Sequence, residues 1–188
     1  MRYYNIGGDM EEVDSWFLAG PRHIDGTEMA PLEFHQGNRL PYDRLEVAVL
    51  REGKRNDISW TPHDVFVVSP RAGAVFEEWV KDGVQLIPCK STGGDELFVV
   101  NTLVLLDCID HTRSKYSRYP KKYPLPHCAG QIEILWTLAL QADVVRGHHL
   151  FRLLEHSMQT LISEELFDHF KGLGMQGMGI DPLPEIVP

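Results

Sequence analysis

The sequence predicts an α+β fold, a twisted and mostly antiparallel sheet carrying two short helices, because one supersecondary plan occurs twice. Residues 159–182 read as an apolar strand (160–162), a helix opening after Ser163 with Leu166, Phe167 and Phe170 on one face, a stop at Lys171, Gly172 and Gly174, and a last strand. Ser163 can accept from the first free helical amides, and Glu164 and Glu165 sit where the helix dipole favours negative charge. Residues 65–89 follow the same plan: strand, Ser69, Pro70 at the first helical position, Val75, Phe76, Trp79 and Val80 on one face, Gly83, strand. Two strand-Ser-helix-Gly-strand units imply two helices laid on sheet.

The other elements follow in order. Residues 2–6 and 15–18 read as short strands joined by an acidic loop with Asp9, Glu11, Glu12 and Asp14. Residues 20–42, broken by Pro21, Gly26, Pro31, Gly37 and Pro41, read as an irregular surface connection of the kind that often carries function. Leu45, Val47 and Val49 alternate with polar or small neighbours, and a turn at 52–54 leads to Ile58 and Trp60, which predicts a hairpin. Residues 96–106 are apolar enough for a buried strand, or two pieces broken near Asn101. Residues 131–140 and 149–154 read as strands, the second in competition with one helix over 143–170. His148 and His149 fall in a turn and are expected to face solvent; residues 182–188, with three prolines, are expected to be extended. The division expected is an N-terminal β lobe (1–60) and a C-terminal α+β lobe (61–188), or one continuous domain.

Composition narrows the function classes. The 188 residues are 43% hydrophobic and 24% charged, which suits a globular chain with a filled core. A formal net charge of −9 argues against general affinity for nucleic acid or anionic membranes. Three widely spaced cysteines offer no disulfide framework, and the first residues lack an apolar signal core, so a cytoplasmic protein is expected. The longest apolar run, 97–109, is interrupted by Asn101, Thr102 and Asp107, so no membrane span is expected. Charge is polarised along the chain. Arg113, Lys115, Arg118, Lys121 and Lys122 interleave with Tyr116, Tyr119 and Tyr123 in a loop with no acid among them, so the rest carries 13 basic against 27 acidic side chains, a formal −14.

Several constellations invite chemistry. Cys108, His111, His127 and Cys128 give the one zinc-like spacing, although adjacent His-Cys residues seldom converge on one ion. Asp107 and Asp110 with His111 could serve a metal-dependent hydrolase; two aspartates at a strand end more often satisfy turn amides. Cys89 has no base partner in sequence, and Ser69 and Ser163 read as caps, without a nucleophile elbow. Gly174, Gly177 and Gly179 follow a helix where a dinucleotide site needs them to precede one. The tyrosine-rich basic loop has the composition of an RNA-binding contact, opposed by the acidic body. The expectation is no catalytic site, no metal, no cofactor and no nucleic-acid partner.

Val67-Val68-Ser69-Pro70 before a helix, the 98–110 run FVVNTLVLLDCID, Leu150-Phe151-Arg152-Leu153, and Leu161-Ile162-Ser163-Glu164-Glu165-Leu166 leading to Met175-Gln176-Gly177 occur in a telling order. Over about residues 45–181 this pattern resembles the immunity-protein family of bacterial polymorphic toxin and contact-dependent competition systems. That family was long described only as a domain of unknown function and has myxobacterial and other proteobacterial members. The resemblance implies a cytoplasmic, non-enzymatic protein that binds and blocks a cognate toxin, often a nuclease. It brings no catalytic motif; its recurring positions, here Ser69, Asn101, Asp107, Asp110, Phe151 and Arg152, are structural. Charge and loop position single out candidate partner contacts: Asp9, Glu11, Glu12 and Asp14, then Glu28, Glu33 and Asp43, and finally Tyr116, Arg118 and Tyr119.

Overall fold

A computed structural model describes residues 1–8, 14–62, 64–126, 128–182 and 184–187. The chain begins with β1 (Tyr3–Gly8), β2 (Phe17–Leu18), a 3₁₀ turn (Pro31–His35), β3 (Leu45–Val47), β4 (Val49–Arg51) and β5 (Ile58–Thr61). The first unit follows as β6 (Val65–Val68), α1 (Pro70–Val80) and β7 (Val84–Ser91). Then come β8 (Glu96–Thr102), β9 (Leu105–Leu106), β10 (Lys115–Arg118), β11 (Ile132–Ala139), the single turn α2 (Ala142–Val145) and β12 (Leu150–Leu153). The second unit is β13 (His156–Ser163), α3 (Glu164–Gly172) and β14 (Met178–Ile180), with β15 (Glu185–Val187) last.

Both helices start as their sequences dictate. Ser69 accepts from the Ala72 amide at 3.2 Å, and Ser163 accepts from the Leu166 amide at 3.2 Å. Glu164 and Glu165 occupy the first turn of α3, and His169 and Lys171 its last, each sign matched to the helix dipole. The glycine-rich stop has a steric reason at Gly177, where φ is +98° and a Cβ would lie 2.0 Å from the Ile58 carbonyl oxygen.

The two units are built alike at the level of topology. One sheet has the order β3-β7-β8-β6-β5 and the other β14-β1-β13-β12-β9. The stretches β7-β8-β6-β5 and β14-β1-β13-β12 are antiparallel at each step, and the N-terminal β1 takes the place that β8 holds in the first unit. The match extends to the caps. The Ser69 amide donates to the Asp57 carbonyl at 2.8 Å and the Ser163 amide to the His149 carbonyl at 2.9 Å. Each serine hydroxyl then meets the side chain of that same residue: Ser69 Oγ donates to Asp57 Oδ1 at 2.8 Å, and Ser163 Oγ lies 2.8 Å from His149 Nδ1.

The elements stack in layers. Alternation along each strand sends Phe66 and Val68 to one face of their sheet and Val65 and Val67 to the other, and Ile162 and Leu161 likewise divide in the second sheet. The two helices pack against each other between the sheets, with the Phe76 and Phe170 rings 4.9 Å apart. Burial of each such aromatic contributes roughly 2–3 kcal/mol. Beyond one sheet, Trp16, Leu18, Met29 and Phe34 cover Val65, Val67 and Val99. Beyond the other, a small sheet of order β10-β11-β15 lays Ile132, Leu135 and Leu138 over Phe151, Leu153 and Leu161.

Several local expectations are corrected. The 45–60 segment is not a hairpin: β3 pairs parallel with β7, β4 with β2, and β5 with β6, because long-range partners outcompete the turn at 52–54. The basic stretch is not all loop, since β10 pairs with β11. Over 143–170 the strand reading of 149–154 holds against the competing single helix: β12 and β13 lie there, and Gly147 sits at φ +81°. His149 does not face open solvent but stands edge-on to Trp79, which also contacts the His169 ring. Of the two readings of 96–106, the second holds: it is two strands, broken after Thr102.

Candidate functional site

The irregular segment over the β3-β7-β8-β6-β5 sheet is tied down along its length. The Arg22 and Glu46 main chains exchange hydrogen bonds of 2.9 Å, and the Leu40 main chain both donates to and accepts from the Gln85 side-chain amide at 2.8 Å. Asn101, fully buried, donates to the Asn38 carbonyl at 2.9 Å. Polar residues lack the volume to hold such a loop by burial, so Met29 and Phe34 anchor it from below.

This tethering sets what the layer presents outward. Residues 23–27 form a tight turn in which Asp25 accepts from the Thr27 amide at 2.9 Å, a bond that holds its carboxyl below the usual carboxylate range. Tyr42 stands edge-on to His23 at 4.9 Å and donates from its hydroxyl to Glu33 at 2.8 Å. Glu33 is thereby held at the His23–Tyr42 pair, while Glu28 and Asp43 are exposed on the same segment. Arg22 pairs with Glu46 and Arg44 with Glu96, so the remaining charged residues of the 20–44 sequence are the acids Asp25, Glu28, Glu33 and Asp43 and the base Arg39. Two apolar tips stand among the acids: Ile24 is 67% exposed and Leu32 43%.

The other predicted contacts lie elsewhere. Exposed Asp14 sits beside the 52–54 turn, its carbonyl accepting from the Lys54 amide at 2.8 Å; Asp9, Glu11 and Glu12 fall outside the described residues. Tyr116, Arg118 and Tyr119 belong to the covering sheet at the far side of the stack, so they do not join the acidic layer. Arg118 lies 5.0 Å over the Tyr116 ring and donates to Glu155 at 3.0 Å, while His111 Nε2 is 3.2 Å from the same carboxylate. Tyr119 packs on Tyr123 at 4.5 Å. Arg118, paired with Glu155, and Arg113, paired with Asp110, are thus turned back onto the body, while Lys115, Lys121 and Lys122 are exposed.

The constellations with catalytic or metal spacing have structural employment. Asp110 accepts from the Thr112 amide and hydroxyl and from Arg113 Nε, at 3.0, 2.7 and 2.8 Å, and these bonds hold its carboxyl far below the usual range. Asp107 is exposed on its own. Cys108 and Cys89 are buried, and burial pushes each thiol up to about 12, far from the thiolate that zinc or a substrate would need. His127 lies outside the described residues. Among the described residues no cluster of three or more His, Cys, Asp or Glu could hold a metal ion, and no helix is long and apolar enough to cross a membrane.

Of the positions expected to be structural, Ser69, Pro70 and Ser163 stand at helix starts, Asn101 beneath the irregular layer, Asp107 on the surface, Asp110 in a turn, Phe151 against Tyr3 at 5.3 Å, and Arg152 inside the core. Sequence reasoning overlooked Asp25, Ile24 and Leu32, and also Ile134 and Trp136, which point outward from β11. The alternation of the sequence set Ile132, Ile134 and Trp136 on one face, but the structure buries Ile132 and exposes the other two, because bulges shift the register of β11 against β10.

Compared with protein-family models, residues 2–183 match the one described as Immunity protein family (Imm11). No curated protein matches the chain.

Proposed function

The chain belongs to the immunity protein family (Imm11), and from that membership we propose that it binds a cognate toxin, a nuclease, and neutralises it by covering the toxin's active site with the acidic layer over the β3-β7-β8-β6-β5 sheet. Family membership supports a toxin-neutralising role and a non-enzymatic one. The observation that carries the location is the make-up of this layer: exposed Asp25, Glu28 and Asp43, with Glu33 bonded to Tyr42, share with exposed Ile24 and Leu32 a segment fixed by Gln85 and Asn101.

The physical reasoning runs from charge to affinity. A nuclease cleft is basic because it must hold phosphate, so an acidic surface steers toward it and raises the association rate. Apolar tips inside the acidic rim can act as anchors that lengthen the residence time. A segment already fixed before binding loses little conformational freedom on contact, so less of the contact energy is spent on ordering. The Ser69 and Ser163 hydroxyls serve as caps in this reading, and the chain acts by occupying space and charge.

The test is a triple reversal, Asp25→Lys, Glu28→Lys and Asp43→Lys. At low salt it should slow association with the cognate toxin by about tenfold or more, with a smaller change in dissociation, and the difference should shrink as salt screens the charges. Unchanged association would move the contact away from this layer.

A further inference from the structure

The alternation that turns Ile87 and Cys89 of β7 and Leu97 and Val99 of β8 toward the irregular layer brings Gln85 and Asn101 to the same face, opposite each other across the two strands. Apolar side chains would simply continue that face; two amides stand there instead. Asn101 Nδ2 donates to Gln85 Oε1 at 3.1 Å and to the Asn38 carbonyl at 2.9 Å. Only an oxygen can accept that bond, so Asn101 fixes which way round the Gln85 amide stands. Gln85 Oε1 then accepts from the Leu40 main-chain amide at 2.8 Å, and Nε2 donates to the Leu40 carbonyl at 2.8 Å. Gln85 thus pairs with Leu40 in the way a neighbouring strand would. Residues 38–40 lie over the face of a sheet, where strands offer side chains and not main-chain groups, so a side-chain amide is what can both give and take there. The chain comes in close at Gly37, where φ is +67° and a Cβ would lie 2.9 Å from the Leu103 carbonyl oxygen.

We infer that Gln85 and Asn101 are positioning residues for toxin binding, a buried amide pair that docks the acidic segment through its main chain. The inference rests on the acidic layer being the toxin contact. A line of contacts leads from the pair to that surface. Leu40 and Tyr42 pack on the core that Met29 and Phe34 enter; Tyr42 donates to Glu33 and stands against His23, which opens the 23–27 turn carrying Ile24 and Asp25. The pair is uncharged, so replacing it leaves the field of the layer in place. Steering depends on that field, whereas the lifetime of a complex depends on contacts that arrive already ordered. The acids therefore govern association and the amide pair governs dissociation.

Gln85→Met keeps the side chain's length and neutrality and removes both bonds to Leu40 together with the acceptor for Asn101. In the free variant, hydrogen exchange at the Leu40 amide should quicken by about tenfold or more while the amides of β7 and β8 stay protected. The cognate toxin should leave this variant about tenfold faster than it leaves the wild type, with association at low salt and its salt dependence unchanged. Partial unfolding alone would reduce the competent fraction without hastening dissociation of the molecules that bind, so the split separates positioning from stability. Gly37→Ala, which forces the same segment away from the other side of the contact, should show the same split. A Leu40 amide still protected in Gln85→Met would overturn the inference. So would unchanged dissociation from a toxin whose association is slowed by Asp25→Lys with Glu28→Lys and Asp43→Lys; the acidic contact would then stand without the amide pair. A reversal that leaves association unchanged removes the contact itself, and this inference falls with it.

Discussion

The guanidinium of Arg152 donates from Nη2 to the main-chain carbonyl of Asp64 at 2.5 Å, joining strand β12 of one sheet to the turn between β5 and β6 of the other. Its Nη1 donates to the carbonyls of Ser157 at 2.7 Å and Met158 at 3.3 Å. Arg152 is 1% exposed, and desolvation lowers its pKa to about 10. Asp64 is held at φ +51°, a conformation that non-glycine residues seldom adopt. The buried cation therefore serves as a clamp between the layers.

Removing the clamp takes the guanidinium donors away from three carbonyls and leaves a void in the core. Arg152→Ala should cost on the order of 3 kcal/mol in urea unfolding. Arg152→Lys should recover little, because a single ammonium cannot reach carbonyls on two elements as a planar fork does. Equal stability of wild type and Arg152→Ala would remove the clamp from the account.

The two cap serines are equivalent in topology but should differ in cost. Ser69→Ala removes the bonds to the Ala72 amide and to Asp57, but on the exposed side of the helix start Asp57 keeps Arg71, its partner at 2.6 Å. Ser163→Ala strips the Leu166 amide and His149 Nδ1 together, at a site with no exposure. About 1 kcal/mol is expected for the first and about 2 kcal/mol for the second. Thermal or urea unfolding of the two single variants measures the difference.

Much of this was legible in the sequence, and the reason is local. Ser69, Pro70, Ser163 and the paired Glu164 and Glu165 act within one helical turn of where they stand, so the two helices and their flanking strands could be placed. The pairing of β1 with β13 and β14 was not legible: it joins residues about 160 positions apart, and nothing near Tyr3 specifies Ser163. The 45–60 hairpin failed for the same reason, its alternation being correct and its partners remote. At the candidate site, Glu28, Glu33 and Asp43 could be named from charge and loop position. The fixing of their segment depends on Gln85 and Asn101, far along the chain.

Thiol chemistry should divide the cysteines. Cys89 and Cys108 are buried, Cys128 is half-buried, so a thiol reagent should titrate Cys128 in the folded protein and the other two only on unfolding. A pH dependence follows. Burial raises both buried thiols from an ordinary 9.0 to about 12, so above pH 9 the unfolded chain loses protons that the folded chain keeps. Their contribution to stability is full below pH 9 and is lost as pH rises toward 12. Tyr3, raised from 10.0 to about 12, adds in the same sense above pH 10, and Arg152, lowered from 12.5 to about 10, opposes it there. Between pH 9 and 10 the thiols act before either. Urea unfolding across that interval should show stability falling, and a smaller fall for Cys89→Ala with Cys108→Ala. A slope that the double variant leaves unchanged would contradict the assignment.

The central claim is neutralisation by binding, and co-expression with the toxin domain encoded beside its gene tests it most directly. Growth should be protected, and the two proteins should purify together as a stable complex whose association slows in the Asp25→Lys, Glu28→Lys, Asp43→Lys variant. Protection without any complex would contradict the account: it would mean that the chain reverses the toxin's damage chemically, and Asp107, Asp110 and His111 would be the first residues to replace.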